Sequence, residues 1–295
     1  MVDILFAGTG ASVPSRERSL PCVAVRIGKE IVLFDCGEGS QRQLMISPFS
    51  FMKIKAIFVS HLHGDHFLGI PGLLQTMDMS GRKDGILLVG PKGFGDVIKR
   101  LTETCGSVTY NVNITEASDG DEFEFKEFAV KVFEVKHSVT ALGFLFEENE
   151  RPGKFDRSKA VSFGIKPGPD FTRLQNGEEV NGVRSCDIIG PARKGRRIVY
   201  SGDTVKCIRV KEMAENADVL IHEATYMSKD SALAGEHMHS TAHDAASTAK
   251  DANVSVLLVT HMSNRYEDMS EIEEECRKVF PNTLLAKDLM LFTVK

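Results

Sequence analysis

The sequence has no Cys-x-x-Cys pair. Its six cysteines, Cys22, Cys36, Cys105, Cys186, Cys207 and Cys276, are scattered along the chain, so neither a disulfide framework nor a thiolate zinc site is indicated, and a reducing cytoplasmic setting fits. No run approaches the roughly 18 apolar residues that a membrane span needs. The N-terminus carries Asp3 where a signal peptide would want a base, so export is not expected. Nor is there a basic excess: 36 Lys and Arg against 41 Asp and Glu give a net charge of −5. That balance excludes a body coated in basic charge for nucleic-acid binding and leaves only a local patch open. With 42% hydrophobic and 26% charged residues, disorder, collagen-like repeats and coiled coils are also excluded.

What is present reads as α/β. At about 150 residues per domain the length allows one large domain or two small ones. Short β-branched or aromatic runs at 4–7, 22–27, 31–34, 56–60 and 86–89 form a first half, and runs at 198–201, 219–222, 254–260 and 290–294 a second. Segments 122–126 and 130–136 alternate in polarity and predict antiparallel strands with one wet face. Helices are predicted at 39–45, 68–77, 95–103, 241–251 and 270–278. Two such halves with helices outside predict a single αβ/βα four-layer sandwich over 1–295. Segment 151–197 breaks the pattern. It has little periodicity, much Gly and Pro, and eleven basic against five acidic residues, a local charge of +6. It predicts an inserted, protruding basic arm; a long unstructured loop of this kind is usually either functional or disordered, and the turn and contact residues Gly168-Pro169 and Phe171 favour function.

The strongest chemical signal is His61-Leu62-His63-Gly64-Asp65-His66, four metal-capable side chains directly after a predicted strand. Imidazoles and a carboxylate suit Zn²⁺. In an extended segment His61 and His63 share a direction and can bind one ion. Asp65 and His66, at the turn into the next helix, can face a second, with Gly64 allowing the bend. His137, Asp203 and His261 each close another predicted strand in the same manner. Seven side chains, with Asp203 shared, give two ions three or four ligands each and leave room for water, as a catalytic site requires.

This set resembles the metallo-β-lactamase superfamily, and within it most closely the tRNA 3′-processing endoribonucleases called RNase Z. Further stretches similar to that family are Gly8-Thr9-Gly10, Asp35-Cys36-Gly37-Glu38-Gly39, 67–74, Pro167-Gly168-Pro169, His222-Glu223-Ala224-Thr225 and His239-Ser240-Thr241-Ala242. Superfamily membership alone does not fix a substrate; the arm and the Glu and His motifs carry the narrower likeness.

The resemblance implies one zinc at His61, His63 and His137 and another at Asp65, His66 and His261, bridged by Asp203, with Mn²⁺ or another divalent ion as the alternative. It implies Asp65 as proton acceptor, His239 at the leaving oxygen, Glu223 orienting that imidazole, and Arg265 on a nearby phosphate. The expected activity is removal of the 3′ trailer from precursor tRNA, leaving a 3′-OH and a 5′-phosphate. In the arm, Lys154, Arg157, Lys159, Lys166 and Arg173, with Gly168 and Pro169, are the candidates for holding the RNA backbone. The resemblance adds a homodimer in which the arm of one subunit serves the site of the other. Two departures stand out: Ser40 where Thr is common, and Phe144 where Tyr is common, which removes a hydroxyl that could reach RNA. His222, His237 and His243 are expected at supporting or surface positions. Competing expectations are a small-molecule hydrolase of the same superfamily, which would not need a basic arm, and a metal-stabilised RNA-binding protein, which would not need Asp65, Glu223 and His239. A di-iron reductase would want His-x-Glu-x-Asp where this chain has His-x-His.

Overall fold

The computed structural model describes all of residues 1–295. Two compact units emerge from the chain contacts, one of Met1–Glu147 with Arg196–Lys295 and one of Glu148–Gly195.

The larger unit contains fourteen strands: β1 Val2–Gly8, β2 Cys22–Ile27, β3 Glu30–Phe34, β4 Ile54–Phe58, β5 Ile86–Gly90, β6 Val112–Glu116, β7 Glu122–Glu124, β8 Phe128–Val135, β9 Ala141–Glu148, β10 Arg197–Tyr200, β11 Val219–Glu223, β12 Val256–Thr260, β13 Thr283–Leu285 and β14 Leu291–Val294. They form two seven-stranded sheets, ordered β14-β1-β2-β3-β4-β5-β6 and β13-β12-β11-β10-β9-β8-β7. Each sheet runs parallel over part of its width, β3 to β6 in one and β10 to β13 in the other.

The period-2 alternation of strand side chains builds the layers. In β1, Val2, Ile4 and Phe6 face the core between the sheets, while Leu5 and Ala7 face the opposite side with the helix Ile70–Met79. In β11, Val219 and Ile221 point inward and Leu220 packs towards the helix Ala242–Asp251. Both sheets bury both faces, so their central strands read as continuous apolar runs. The result is the four-layer αβ/βα sandwich. Phe34 stacks between Phe144, at 5.4 Å, and Tyr200, at 5.6 Å, and ties the sheets together.

The second unit corrects the expectation of an unstructured loop. Its three short helices, Arg157–Ser162, Pro169–Gln175 and Ser185–Ile188, surround a small core of Ala160, Ile165, Leu174, Val180, Val183 and Ile188. Helices of four to seven residues complete at most two turns, too few for a 3.6-residue period to register in sequence. Strands β6, β9 and β13 and the helices Ile208–Met213 and Ser231–Glu236 also lie outside the expected elements. Phe144 needs a correction as well: it is fully buried in the core, so a hydroxyl at that position would not meet RNA.

Candidate metal centre

The site is assembled at the carboxyl ends of strands, where side chains from successive loops can converge. His61 and His63 follow β4, and Asp65 and His66 lie in the short helix Gly64–Phe67. His137 follows β8, Asp203 follows β10, and His261 follows β12. Gly64 begins its helix, and its backbone is not among the positive-φ glycines. An added Cβ there would meet only the exposed, movable Leu68 side chain, at 2.9 Å from Cδ1, so neither a special turn nor fixed packing requires glycine at this position.

The seven expected ligands are brought together. His61 Nε2 lies 2.9 Å from His63 Nδ1, and His137 Nε2 lies 3.3 Å from the same atom. Asp203 Oδ2 is 3.7 Å from His61 Nε2, 3.2 Å from His66 Nε2 and 3.4 Å from His261 Nε2. Asp65 Oδ2 is 3.4 Å from His66 Nε2 and 3.7 Å from His261 Nε2. A tetrahedron of metal bonds about 2.1 Å long has edges of about 3.4 Å, close to these spacings. The Nε2 atoms of His66 and His261 are buried and make no hydrogen bond, a costly arrangement unless a ligand engages them. The donor set therefore fits divalent metal.

The far nitrogens of four imidazoles are fixed by neighbours. Asp35 Oδ2 lies 2.8 Å from His66 Nδ1, Ser60 Oγ 3.0 Å from His61 Nδ1, Met238 O 2.9 Å from His137 Nδ1 and Thr225 Oγ1 2.9 Å from His261 Nδ1. These contacts set ring orientation and present Nε2 to the centre. The Ser12 backbone N–H donates to Asp65 Oδ2 at 2.9 Å. Ser12, Asp35, Met238 and His261 are four of the eight non-glycine residues with positive φ; strained backbone is concentrated around this site.

Charge follows the same geometry. Burial alone would raise the Asp203 carboxyl, but His261, His66 and His61 hold it well below its ordinary range. Burial pushes the His61 imidazole well down, so it stays neutral and able to coordinate. Glu223 is buried and accepts from Thr204 N–H at 2.9 Å, Thr225 N–H at 3.1 Å and Thr225 Oγ1 at 2.6 Å. It also lies 2.8 Å from His239 Nδ1. Burial opposes a charge on His239, but Glu223 outweighs it and raises the imidazole to about 9. His239 lies within ring contact of both His137, at 4.9 Å, and His261, at 5.5 Å. His222 is buried near the end of β11, whereas His237 and His243 are exposed.

Arg265 is exposed, with its guanidinium 4.8 Å from the Tyr226 ring centre. In the second unit, Lys154, Arg157 and Lys159 line a 1010 Å³ cleft. Gly168 caps the helix Pro169–Gln175 with φ of 143°, and Lys166 is exposed just before it. Arg173 is already paired with Glu178 at 2.9 Å and Asp170 at 3.5 Å.

Sequence reasoning gave no role to Asp35, Ser12, Ser60, Thr225 or Met238. Asp35 had a signal: like His61 and Asp203, it is a polar residue directly after an apolar strand, β3. Met238 acts through its carbonyl, which any residue type supplies, and so had none.

A profile of the β-lactamase superfamily domain matches residues 30–155 and 172–262. The chain is 46% identical to ribonuclease Z of Methanosarcina mazei, over 98% of this chain and 97% of that one. It is 38% identical to ribonuclease Z of Bacillus licheniformis, over 100% and 99%. Among solved structures it is similar to the short form of human tRNase Z, with a TM-score of 0.73, 29% identity and 99% of each chain covered. The chain belongs to the ribonuclease Z family, metal-dependent nucleases of the β-lactamase superfamily.

Proposed function

We propose that the protein is a zinc-dependent endoribonuclease that removes the 3′ trailer from precursor tRNA, leaving a 3′-OH on the tRNA and a 5′-phosphate on the trailer. The observation that carries this reading is the convergence of seven metal-capable side chains beside the His239–Glu223 pair. It occurs in a chain 46% identical to a ribonuclease Z.

His61, His63, His137 and Asp203 would hold one Zn²⁺; Asp65, His66, His261 and Asp203 would hold the other, with Mn²⁺ or another divalent ion as the alternative. When bound, such ions supply Lewis acidity towards phosphate oxygens and an attacking water. Asp65, kept ionised by His261 and His66 against the effect of burial, accepts the proton of that water. His239 gives a proton to the departing ribose oxygen. Glu223 holds Nδ1 of that ring and keeps it charged, which leaves Nε2 for the transfer. Arg265 offers its guanidinium fork to a phosphate next to the scissile one.

An acidic chain must still attract RNA, and the second unit supplies the means: Lys154, Arg157, Lys159 and Lys166, with the Gly168-Pro169 turn, bind the tRNA backbone by charge and shape, and Arg173, paired with Glu178 and Asp170, takes a smaller share. The working form is a cytoplasmic homodimer in which the arm of one subunit presents tRNA to the site of the other. No helix is long and apolar enough to cross a membrane.

The test is end mapping on one precursor tRNA with the wild-type protein and Asp65→Ala. The wild type yields the stated ends, loses activity in chelator and regains it with Zn²⁺; Asp65→Ala does not cut. A cyclic phosphate product, or full activity in strong chelator, overturns the reading.

A further inference from the structure

Arg265 stands at the rim of the site with an unusual lack of partners. It makes no ion pair, and its only side-chain hydrogen bond runs from Nε to Ser263 Oγ at 3.3 Å, so both terminal nitrogens are uncommitted. A flexible exposed arginine in that state loses considerable rotamer freedom when it grips an anion. Here something already limits that freedom. The guanidinium carbon lies 4.8 Å from the Tyr226 ring centre, within the range where the ring face attracts a cation.

Tyr226 is itself held firmly. Its ring is buried, at 6% exposure. Its backbone pairs with the segment that carries His239: the Tyr226 N–H donates to Ser240 O at 3.3 Å, and the Ala242 N–H donates to Tyr226 O at 2.8 Å. The neighbouring positions are also joined, since the Met227 N–H donates to Tyr266 Oη at 2.9 Å, and that hydroxyl donates to Asp230 at 2.6 Å. Residues 226–227 and 265–266 are therefore cross-linked twice, once through a hydroxyl and once through a ring face. The Tyr226 ring also lies 6.0 Å from the His239 ring, so one rigid aromatic connects the phosphate clamp to the proton donor.

We infer that Tyr226 is a positioning residue for RNA cleavage: its ring carries the Arg265 guanidinium and aims the two free nitrogens at a substrate phosphate at a fixed distance from His239. The inference rests on the proposed role of Arg265 towards RNA phosphate. It assigns the effect to the ring face, so the Tyr226 hydroxyl is dispensable. A cation held over a ring at a partly exposed site is worth about fivefold in a binding or rate constant.

The test is a kinetic double-mutant cycle on precursor tRNA with Tyr226→Phe, Tyr226→Leu, Arg265→Ala and the Leu/Ala double variant, together with relaxation of the Arg265 Nε–H signal. The expected results are that Tyr226→Phe stays within about twofold of wild type, Tyr226→Leu loses about fivefold in kcat/KM, and Leu costs nothing further once Arg265 is alanine. The Nε–H is rigid in wild type and in Tyr226→Phe, and mobile in Tyr226→Leu. If Leu costs the same with and without Arg265, or if the Nε–H is mobile in wild type, the inference fails. The wild-type relaxation measurement also decides the matter should Tyr226→Leu not fold. Should Arg265→Ala cut precursor tRNA as well as wild type, the clamp itself is disproved, and Tyr226 as its support. Should wild type cut no precursor tRNA, the proposed function fails and with it the positioning role in cleavage, while a rigid Nε–H that Leu releases would support only that the Tyr226 ring holds Arg265.

Discussion

Asp35 Oδ2 accepts from both His66 Nδ1, at 2.8 Å, and the Tyr200 hydroxyl, at 2.7 Å. The same carboxylate takes the Ser60 N–H at 2.7 Å and the Ser60 hydroxyl at 2.9 Å. One fully buried carboxylate thus organises two ligand-bearing segments from a backbone at φ of 60°. Asparagine tolerates that conformation, but it brings an amide that cannot accept and removes the charge. Asp35→Asn is expected to fold and to bind metal about 10- to 100-fold more weakly. Competition with a chromophoric chelator measures this; unchanged affinity would show that Asp35 supports the fold alone.

Gly37 braces the metal-binding loop from behind. An added Cβ would lie 2.2 Å from Asp65 O and 2.6 Å from Leu20 Cβ, while Cys36 N–H donates to His66 O at 2.8 Å. The contact is with backbone, so relief requires moving the loop that carries Asp65 and His66. Gly37→Ala is expected to cost about 1–3 kcal/mol of stability and to reduce metal content. Chemical denaturation and metal analysis of the purified variant are the checks; wild-type values in both would refute the packing argument.

The contrast between Asp35 and His61 shows what could be read in advance. His61, His63, Asp65 and His66 crowd six positions, and that density is visible without a fold. His137, Asp203 and His261 are legible because each follows a strand-like run, and the carboxyl ends of strands are where ligands gather in this architecture. The groups that orient them are different in kind. Met238 contributes a carbonyl and Ser12 an N–H, both available from any residue, and neither residue type announces the positive φ it adopts. The four layers were legible because strands buried on both faces are uniformly apolar. β9 escaped notice although it is central to its sheet, because Gly143 interrupts its apolar run; there, an added Cβ would meet the Phe133 ring at 2.4 Å.

The His239–Glu223 pair predicts a titration in the metal-free protein. His239 is raised to about 9 because Glu223 outweighs the effect of burial. Its folded pKa lies above the unfolded value of about 6.5. Its contribution to stability is therefore fully present below about pH 6.5 and is lost as pH rises through about 9. In Glu223→Gln both contributions of the carboxylate are lost, only Asp203 still opposes burial, and the His239 midpoint falls. Histidine NMR titration of the chelator-treated wild type and Glu223→Gln follows both changes. A His239 midpoint that does not move on removing Glu223 would show that the pair is not the cause.

The arm predicts a separation between substrate capture and chemistry. Lys154, Arg157 and Lys159 share one cleft and have no side-chain ion pair, whereas Arg173 is committed to Glu178 and Asp170. Free cations release counterions from RNA when they bind, and each phosphate contact contributes about 0.7–0.9 to the slope of log affinity against log salt. Replacing the three with alanine is expected to raise KM for precursor tRNA at least tenfold and to lower the salt slope by about two. Arg173→Ala should change both far less, because its charge is already neutralised. Hydrolysis of bis(p-nitrophenyl) phosphate, which has one phosphodiester and no RNA backbone to hold, reports on the metal centre alone and should persist in all these variants. An equal loss on both substrates would mean that the arm maintains the fold of the site, and an unchanged salt slope would mean that the cleft does not meet the RNA backbone.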